Sequence, residues 1–112
     1  MAVVDMRVTG QRQDISSGKV WHETVILESP ATESDIYLLP VQEIYAVDCI
    51  IDGTGTIQFT IDSDDTIREN PGSITWETWD GLSQVNFGVV AFQVTRSSGT
   101  VTAKITVRTR GR

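Results

Sequence analysis

Few residues in this chain are equipped for chemistry. His22 is the only histidine and Cys49 the only cysteine in 112 residues, so any histidine- or cysteine-based catalysis must pass through one of them. Nucleophilic catalysis needs a base held beside its nucleophile. A Ser-His-Asp set would have to use His22, and no Gly-x-Ser-x-Gly elbow is present to present the serine. His22 instead alternates with Trp21 along a strand-like run and reads as an ordinary strand histidine. Cys49 lies within an apolar stretch and reads as a small core residue. One cysteine forbids an internal disulfide. One cysteine and one histidine also cannot supply the four ligands of a structural zinc site.

Carboxylates give the next candidates. Asp62, Asp64 and Asp65, with Glu69 close by, invite calcium. An EF-hand loop begun at Asp62 would need Gly at its sixth position and Glu at its twelfth, where this chain has Ile67 and Ser73. A solvated turn that caps a short helix is the preferred reading, with a weak irregular calcium site as the alternative. Gly53-Thr54-Gly55 resembles the start of a phosphate loop, but Gln58 stands where the third glycine belongs. A strand pattern rather than a helix follows, so no helix N-terminus is on hand for phosphate. With 15 acidic residues, no carboxylate pair is specific enough to suggest glycoside hydrolysis. The expectation is a protein that is not an enzyme, with no catalytic, cofactor-binding or metal-binding residues.

Binding chemistry is better represented. Trp76 and Trp79 lie three apart, so on a strand one enters the core while the other faces solvent or a partner. An outward Trp79 would anchor a protein interface or stack on a sugar, and the competing reading is core or turn packing. The basic residues Arg96, Arg108, Arg110 and Arg112 are the other interface candidates. Arg108, Arg110 and Arg112 share one strand face, which either touches an acidic partner or stays wet and discourages aggregation.

The elements that must position these groups are strands. Val, Ile and Thr make up 38 of 112 residues while Leu and Ala together make up nine, a balance that favours pleated surfaces over helices. From Thr100 to Arg110, Val101, Ala103, Ile105 and Val107 alternate with polar residues, the period of a half-buried strand. Val90 to Arg96 alternates in the same way, and Ser97-Ser98-Gly99 between them predicts a C-terminal hairpin. Tyr45 to Ile51 and Thr56 to Ile61 predict a second hairpin turning at Asp52-Gly53-Thr54-Gly55. Lys19 to Leu27, Ile36 to Leu39 and Ile74 to Trp79 complete the pattern, the last closed by Asp80-Gly81. Only Asp62 to Asn70 suggests a helical turn, capped by Asp62 or Ser63 and stopped by Pro71-Gly72. Seven or eight short strands at intervals of about 8–12 residues predict an all-β, antiparallel sandwich or jelly roll. Residues 1–112 read as a single β domain, with 1–13 as either an N-terminal arm or an edge strand.

Charge and length narrow the partners. No apolar run approaches the roughly 20 residues of a membrane helix, and the charged N-terminus lacks the apolar core of a signal peptide. The net charge of −6 opposes specific nucleic-acid binding. That total is unevenly spread. Residues 1–80 hold 15 acidic and four basic side chains, a net −11, whereas residues 81–112 hold five basic and no acidic ones. Such polarity suits docking on a patterned protein surface or on another copy.

One resemblance adds to this. The stretch from Ile74-Thr75-Trp76-Glu77-Thr78-Trp79-Asp80 to Gly88-Val89-Val90-Ala91-Phe92-Gln93-Val94-Thr95-Arg96-Ser97-Ser98-Gly99-Thr100-Val101-Thr102 is similar in style to small all-β virion proteins of tailed bacteriophages. It covers roughly residues 55–110. The resemblance implies a structural role, foremost a capsid decoration (cement) protein that binds the major capsid protein in the virion after assembly in the host cytoplasm. It also implies a homo-oligomer, with a trimer favoured. A minor tail or neck component, or a carbohydrate-binding module, is the alternative.

Overall fold

In a computed structural model, residues 2–16, 18–40, 43–79 and 89–110 are described. Among them are seven strands: β1 (Val3–Asp5), β2 (Gln11–Ile15), β3 (Gly18–Leu27), β4 (Ile36–Leu38), β5 (Glu43–Thr60), β6 (Glu77–Thr78) and β7 (Ala91–Arg110). Two short helices, α1 (Met6–Thr9) and α2 (Asp64–Glu69), and a 3-10 turn at Pro71–Ser73 complete the set.

All seven strands belong to one sheet built around β7. Over its C-terminal half, β7 pairs antiparallel with β3, from Lys19↔Thr109 to Leu27↔Val101, and β2 adds outside β3. Over its N-terminal half it pairs with β4 at Tyr37↔Phe92 and Leu38↔Ala91, and β1 adds outside β4 in parallel. Along the opposite side of both halves runs β5, with β6 on its far edge at Gln58↔Thr78 and Phe59↔Glu77.

A straight strand of the 20 residues in β7 would span about 66 Å. The longest dimension of the molecule is 40 Å, so the β5–β7 ribbon must bend. It bends where the register slips, between Asp52 and Gly55 on β5, opposite Arg96 to Thr102 on β7. Gly53 sits there at φ +109°, a conformation that a side chain resists. Bending folds both halves over one core. Trp21, Val25, Leu27, Val47, Val101, Ala103, Ile105 and Val107 from one half meet Leu39, Ile57, Phe92 and Val94 from the other.

A second, smaller cluster covers the back of the N-terminal half, where Ile67 of α2 packs with Ile36, Leu38 and Ala91. Covered on both faces, residues 91–94 are all buried. The C-terminal half has one face wet, and Val101, Ala103, Ile105 and Val107 alternate as their pattern predicts.

Three expectations are corrected. The sheet is mixed and continuous, because β1 runs parallel to β4, so it is a curled sheet rather than two separate antiparallel sheets of a sandwich or jelly roll. Neither predicted hairpin forms: the segments flanking Asp52–Gly55 and those flanking Ser97–Gly99 each continue as one strand. The two turn-like segments face each other across the ribbon, and the extra residues at the slips lie on β7, where Arg96 to Thr102 opposes Asp52 to Gly55. Helix is also more than one turn in total. Asp5 accepts from the Arg7 N–H at 2.9 Å and starts α1 within a stretch that reads as strand, and the Gly10 N–H closes it on the Met6 carbonyl. The helix predicted near Asp62–Asn70 is α2, capped by Ser63 and carrying Asp64 and Asp65 in its first turn. Of the strand expected over Ile74 to Trp79, only β6 is regular, and its closing Asp80-Gly81 lies outside the described residues. Residues 3–5 and 11–15 of the N-terminal segment are edge strands.

Candidate interaction surface

The groups with chemical potential are apart and engaged. His22 lies on the outer face of β3, and its Nδ1 is 3.2 Å from Thr106 Oγ1 on β7. Cys49 is half-buried against the core, and burial, with Asp48 beside it, pushes its thiol up to about 12. A thiol so raised is not a thiolate nucleophile at neutral pH. Near α2, Asp62 Oδ2 accepts the Thr75 N–H at 2.7 Å, and Asp64 Oδ1 accepts from Arg68 Nε at 2.5 Å. These carboxylates are taken up by a loop N–H and an i,i+4 ion pair, and among the described residues no three metal-ligating side chains gather.

The tryptophans are packed. Trp79 stands half-buried between Phe59 and Phe92, edge-on to both with ring centroids 5.9 Å apart, and its backbone N–H donates to the Ile57 carbonyl. Trp76 packs on the smaller cluster. Trp21 is buried under the Arg12 guanidinium, whose carbon lies 6.0 Å from the ring centroid, and its indole N–H has no hydrogen-bond partner among the described residues.

The basic candidates separate. Arg96 donates through Nε to the Gly99 carbonyl and through a terminal nitrogen to the Ala31 carbonyl, tying the bend of β7 to the segment that follows the 29–30 turn. Arg108 is on the outer face of β7, in register with Val20 of β3 and Ala46 of β5. Arg110 ends β7 opposite Glu43, with only its backbone described, and Arg112 lies outside the described residues.

What the fold does assemble is a surface on the outer face of β3, β7 and β5. Antiparallel register sets its rows, because directly paired residues point the same way. Successive rows read His22, Thr106, Asp48; then Thr24, Lys104, Ile50; then Ile26, Thr102, Asp52. Ile26 is 62% exposed and Ile50 70% exposed, so two large apolar side chains flank β7 in water. Lys104 and Arg108 form a basic column on β7, and Asp48 and Asp52 form an acidic one on β5. The polarity spread along the sequence is thus interleaved on one face. Of this surface, sequence reasoning singled out only Arg108 as an interface residue, and His22 only as a catalytic candidate. The outward alternation of Ile26 against Val25 and Leu27 was the available signal.

The fold and surface together define a small, mixed β-sheet protein with one patterned outer face. No protein-family model, curated protein or solved structure matches the chain.

Proposed function

We propose that this chain is a structural virion protein of a tailed phage, a capsid decoration protein that docks on the assembled major capsid protein and stabilises the shell without catalysis. One observation carries the reading: the outer face of β3–β7–β5 presents Ile26 of β3 and Ile50 of β5 in water on either side of the basic column of β7, with Ile50 set between Asp48 and Asp52. Exposed apolar residues within a polar frame mark contact surfaces, and alternating charge fixes the register of docking. The hydrogen-bonded histidine, the half-buried thiol and the packed tryptophans favour assembly over chemistry or sugar stacking. The similarity of residues 55–110 in style to phage virion proteins supplies the kind of partner.

The test is sedimentation of the purified chain with capsids built from the major capsid protein of the source phage. Parent protein should co-sediment with the shell. Ile26→Asp with Ile50→Asp should abolish co-sedimentation while leaving the unfolding transition in place, because both side chains are exposed. A parent that stays in the supernatant refutes the proposal.

A further inference from the structure

The C-terminal half of the sheet ends laterally in two strands. Among the described residues β2 pairs only with β3, and residues 43–52 of β5 pair only with β7. An open edge is a row of unpaired N–H and C=O groups, and proteins usually blunt it with bulges, prolines or repelling charges. In β5 such devices are present: register slips at Ile44/Ala46 and Asp52/Thr54 bracket the segment, and two β5 strands paired about Ile50 would set Asp48 against Asp52. β2 has neither slip nor proline. Its sequence is Gln11-Arg12-Gln13-Asp14-Ile15, and the first four residues are exposed.

Ladder alternation decides which groups reach that edge. β2 and β3 are joined by only two residues and pair from Ile15↔Gly18, so this pair, Gln13↔Val20 and Gln11↔His22 exchange the main-chain bonds. The N–H and C=O groups of Arg12 and Asp14 therefore point away from β3.

We infer that β2 is a self-association edge: two copies pair antiparallel through β2 about a two-fold axis at Gln13. In that register Arg12 faces Asp14 of the partner subunit, and Asp14 faces Arg12 of the partner subunit. The outward-pointing main-chain groups are those of the same two residues, so each Arg–Asp pair also exchanges both of its ladder bonds. Gln13 meets its own copy at the axis, and Gln11 faces Ile15 of the partner subunit. Arg12 Nε and Asp14 Oδ1 already lie 3.3 Å apart on one face, with side chains 49% and 59% exposed, so pairing closes a ring of four alternating charges. The contact is the same patch on both copies and closes at two, whereas β2 against β5 would be head to tail and grow without closing.

Charge reversal tests the register. Light scattering and sedimentation equilibrium on the parent, from micromolar to submillimolar concentration, should show a reversible monomer–dimer equilibrium. Asp14→Arg sets arginine against arginine on both sides of the axis and should weaken dimerisation at least about tenfold. Adding Arg12→Asp restores opposite charges in the same register and should return the dimer. Thermal unfolding of each variant confirms the fold. As a second readout, Gln13→Cys treated with diamide should give a disulfide-linked dimer, since facing residues of a wide antiparallel pair stand about 4.5 Å apart at Cα. Thr24→Cys, on the outer face, should not. A monomeric parent, a charge swap that fails to restore association, or equal cross-linking at both positions overturns the inference. A monomer that binds capsids removes this inference alone, and a dimer that ignores capsids removes only the docking proposal.

Discussion

The bend of the β5–β7 ribbon makes a quantitative demand on two glycines. A Cβ at position 53 would lie 2.5 Å from the Thr100 carbonyl oxygen, on a residue held at φ +109°. A Cβ at position 55 would lie 2.1 Å from the Thr95 carbonyl oxygen. Gly53→Ala incurs backbone strain of about 1–3 kcal/mol together with overpacking of about 1–3 kcal/mol, so a loss of about 4 kcal/mol is expected. Gly55→Ala has no such φ, but β5 must retreat by about 1 Å from its neighbour, with overpacking and weakened ladder bonds giving about 3 kcal/mol. Gly72 is the control, because nothing lies within 4 Å of its added Cβ. There the smaller entropy of the unfolded chain should stabilise by about 0.4–1 kcal/mol. At roughly 2.1 cal/mol/K per residue for unfolding, each kcal/mol shifts Tm by about 4 °C. The expected changes in Tm are therefore falls of about 16 °C and 12 °C at positions 53 and 55, and a rise of about 2–4 °C at position 72. Urea unfolding followed by circular dichroism gives the same ranking in free energy. If Gly53→Ala and Gly55→Ala both stay within about 0.5 kcal/mol of the parent, the segment is an open turn after all and the continuous ribbon is wrong.

Three further outcomes follow from the packing and electrostatics. With its thiol raised to about 12, Cys49 should react with Ellman's reagent at pH 8 at least about a thousandfold more slowly in the native chain than in urea, and native labelling within tenfold of the unfolded rate refutes its burial. The hydrogen bond from Arg7 holds the Asp5 carboxyl below its ordinary value, with burial opposing, so Asp5 stabilises the fold above the ordinary value and loses that contribution as pH falls through its lowered one. Asp5→Asn keeps a cap but removes the charge, so its deficit in urea unfolding should be largest near neutral pH and shrink on acidification, and a deficit that grows in acid contradicts the assignment. Trp79→Ala removes the ring that bridges Phe59 and Phe92 and should cost about 3 kcal/mol, read as a fall in Tm of about 12 °C.

What the sequence disclosed and withheld follows from which contacts are local. β3 was legible because one of its faces is packed and the other largely wet, so Trp21, Val25 and Leu27 alternate against His22, Thr24 and Ile26. α2 was legible because its signals, Ser63, two acids and Pro71, lie within a few residues. The ribbon was not. Asp52-Gly53-Thr54-Gly55 and Ser97-Ser98-Gly99 have the composition of hairpin turns, and a bulge draws on the same glycines. The choice between them rests on a register set over some 40 residues of separation. α1 escaped because four residues carry no helical period. The surface was hidden for a similar reason. Ile26 and Ile50 are distant in sequence and come onto one face only because β3 and β5 both flank β7. Arg12 and Asp14 gave no signal of their own, because residues 1–13 read as either an arm or an edge strand and only the pairing of β2 with β3 alone puts both charges on an edge.

The proposed docking face and the inferred self-association edge also constrain each other geometrically. A two-fold axis through antiparallel β2 strands runs perpendicular to the sheet, so it keeps each outer face on the same side. Two copies would then form a continuous sheet, β5-β7-β3-β2 followed by β2-β3-β7-β5, with both Ile26/Ile50 surfaces pointing one way. Two exposed isoleucines in a frame of threonines and isolated charges make a small contact, well short of the area of a stable protein interface. Doubling it on one rigid body makes the second contact intramolecular, and avidity rises by orders of magnitude without any new residue. The edge contact can be weak for the same reason, since a repetitive shell that binds both faces also holds the two copies together. If both proposals hold, a β-sheet with one patterned face and one self-complementary edge would reach tight, reversible placement on a particle by combining two contacts, neither of which needs to be strong alone.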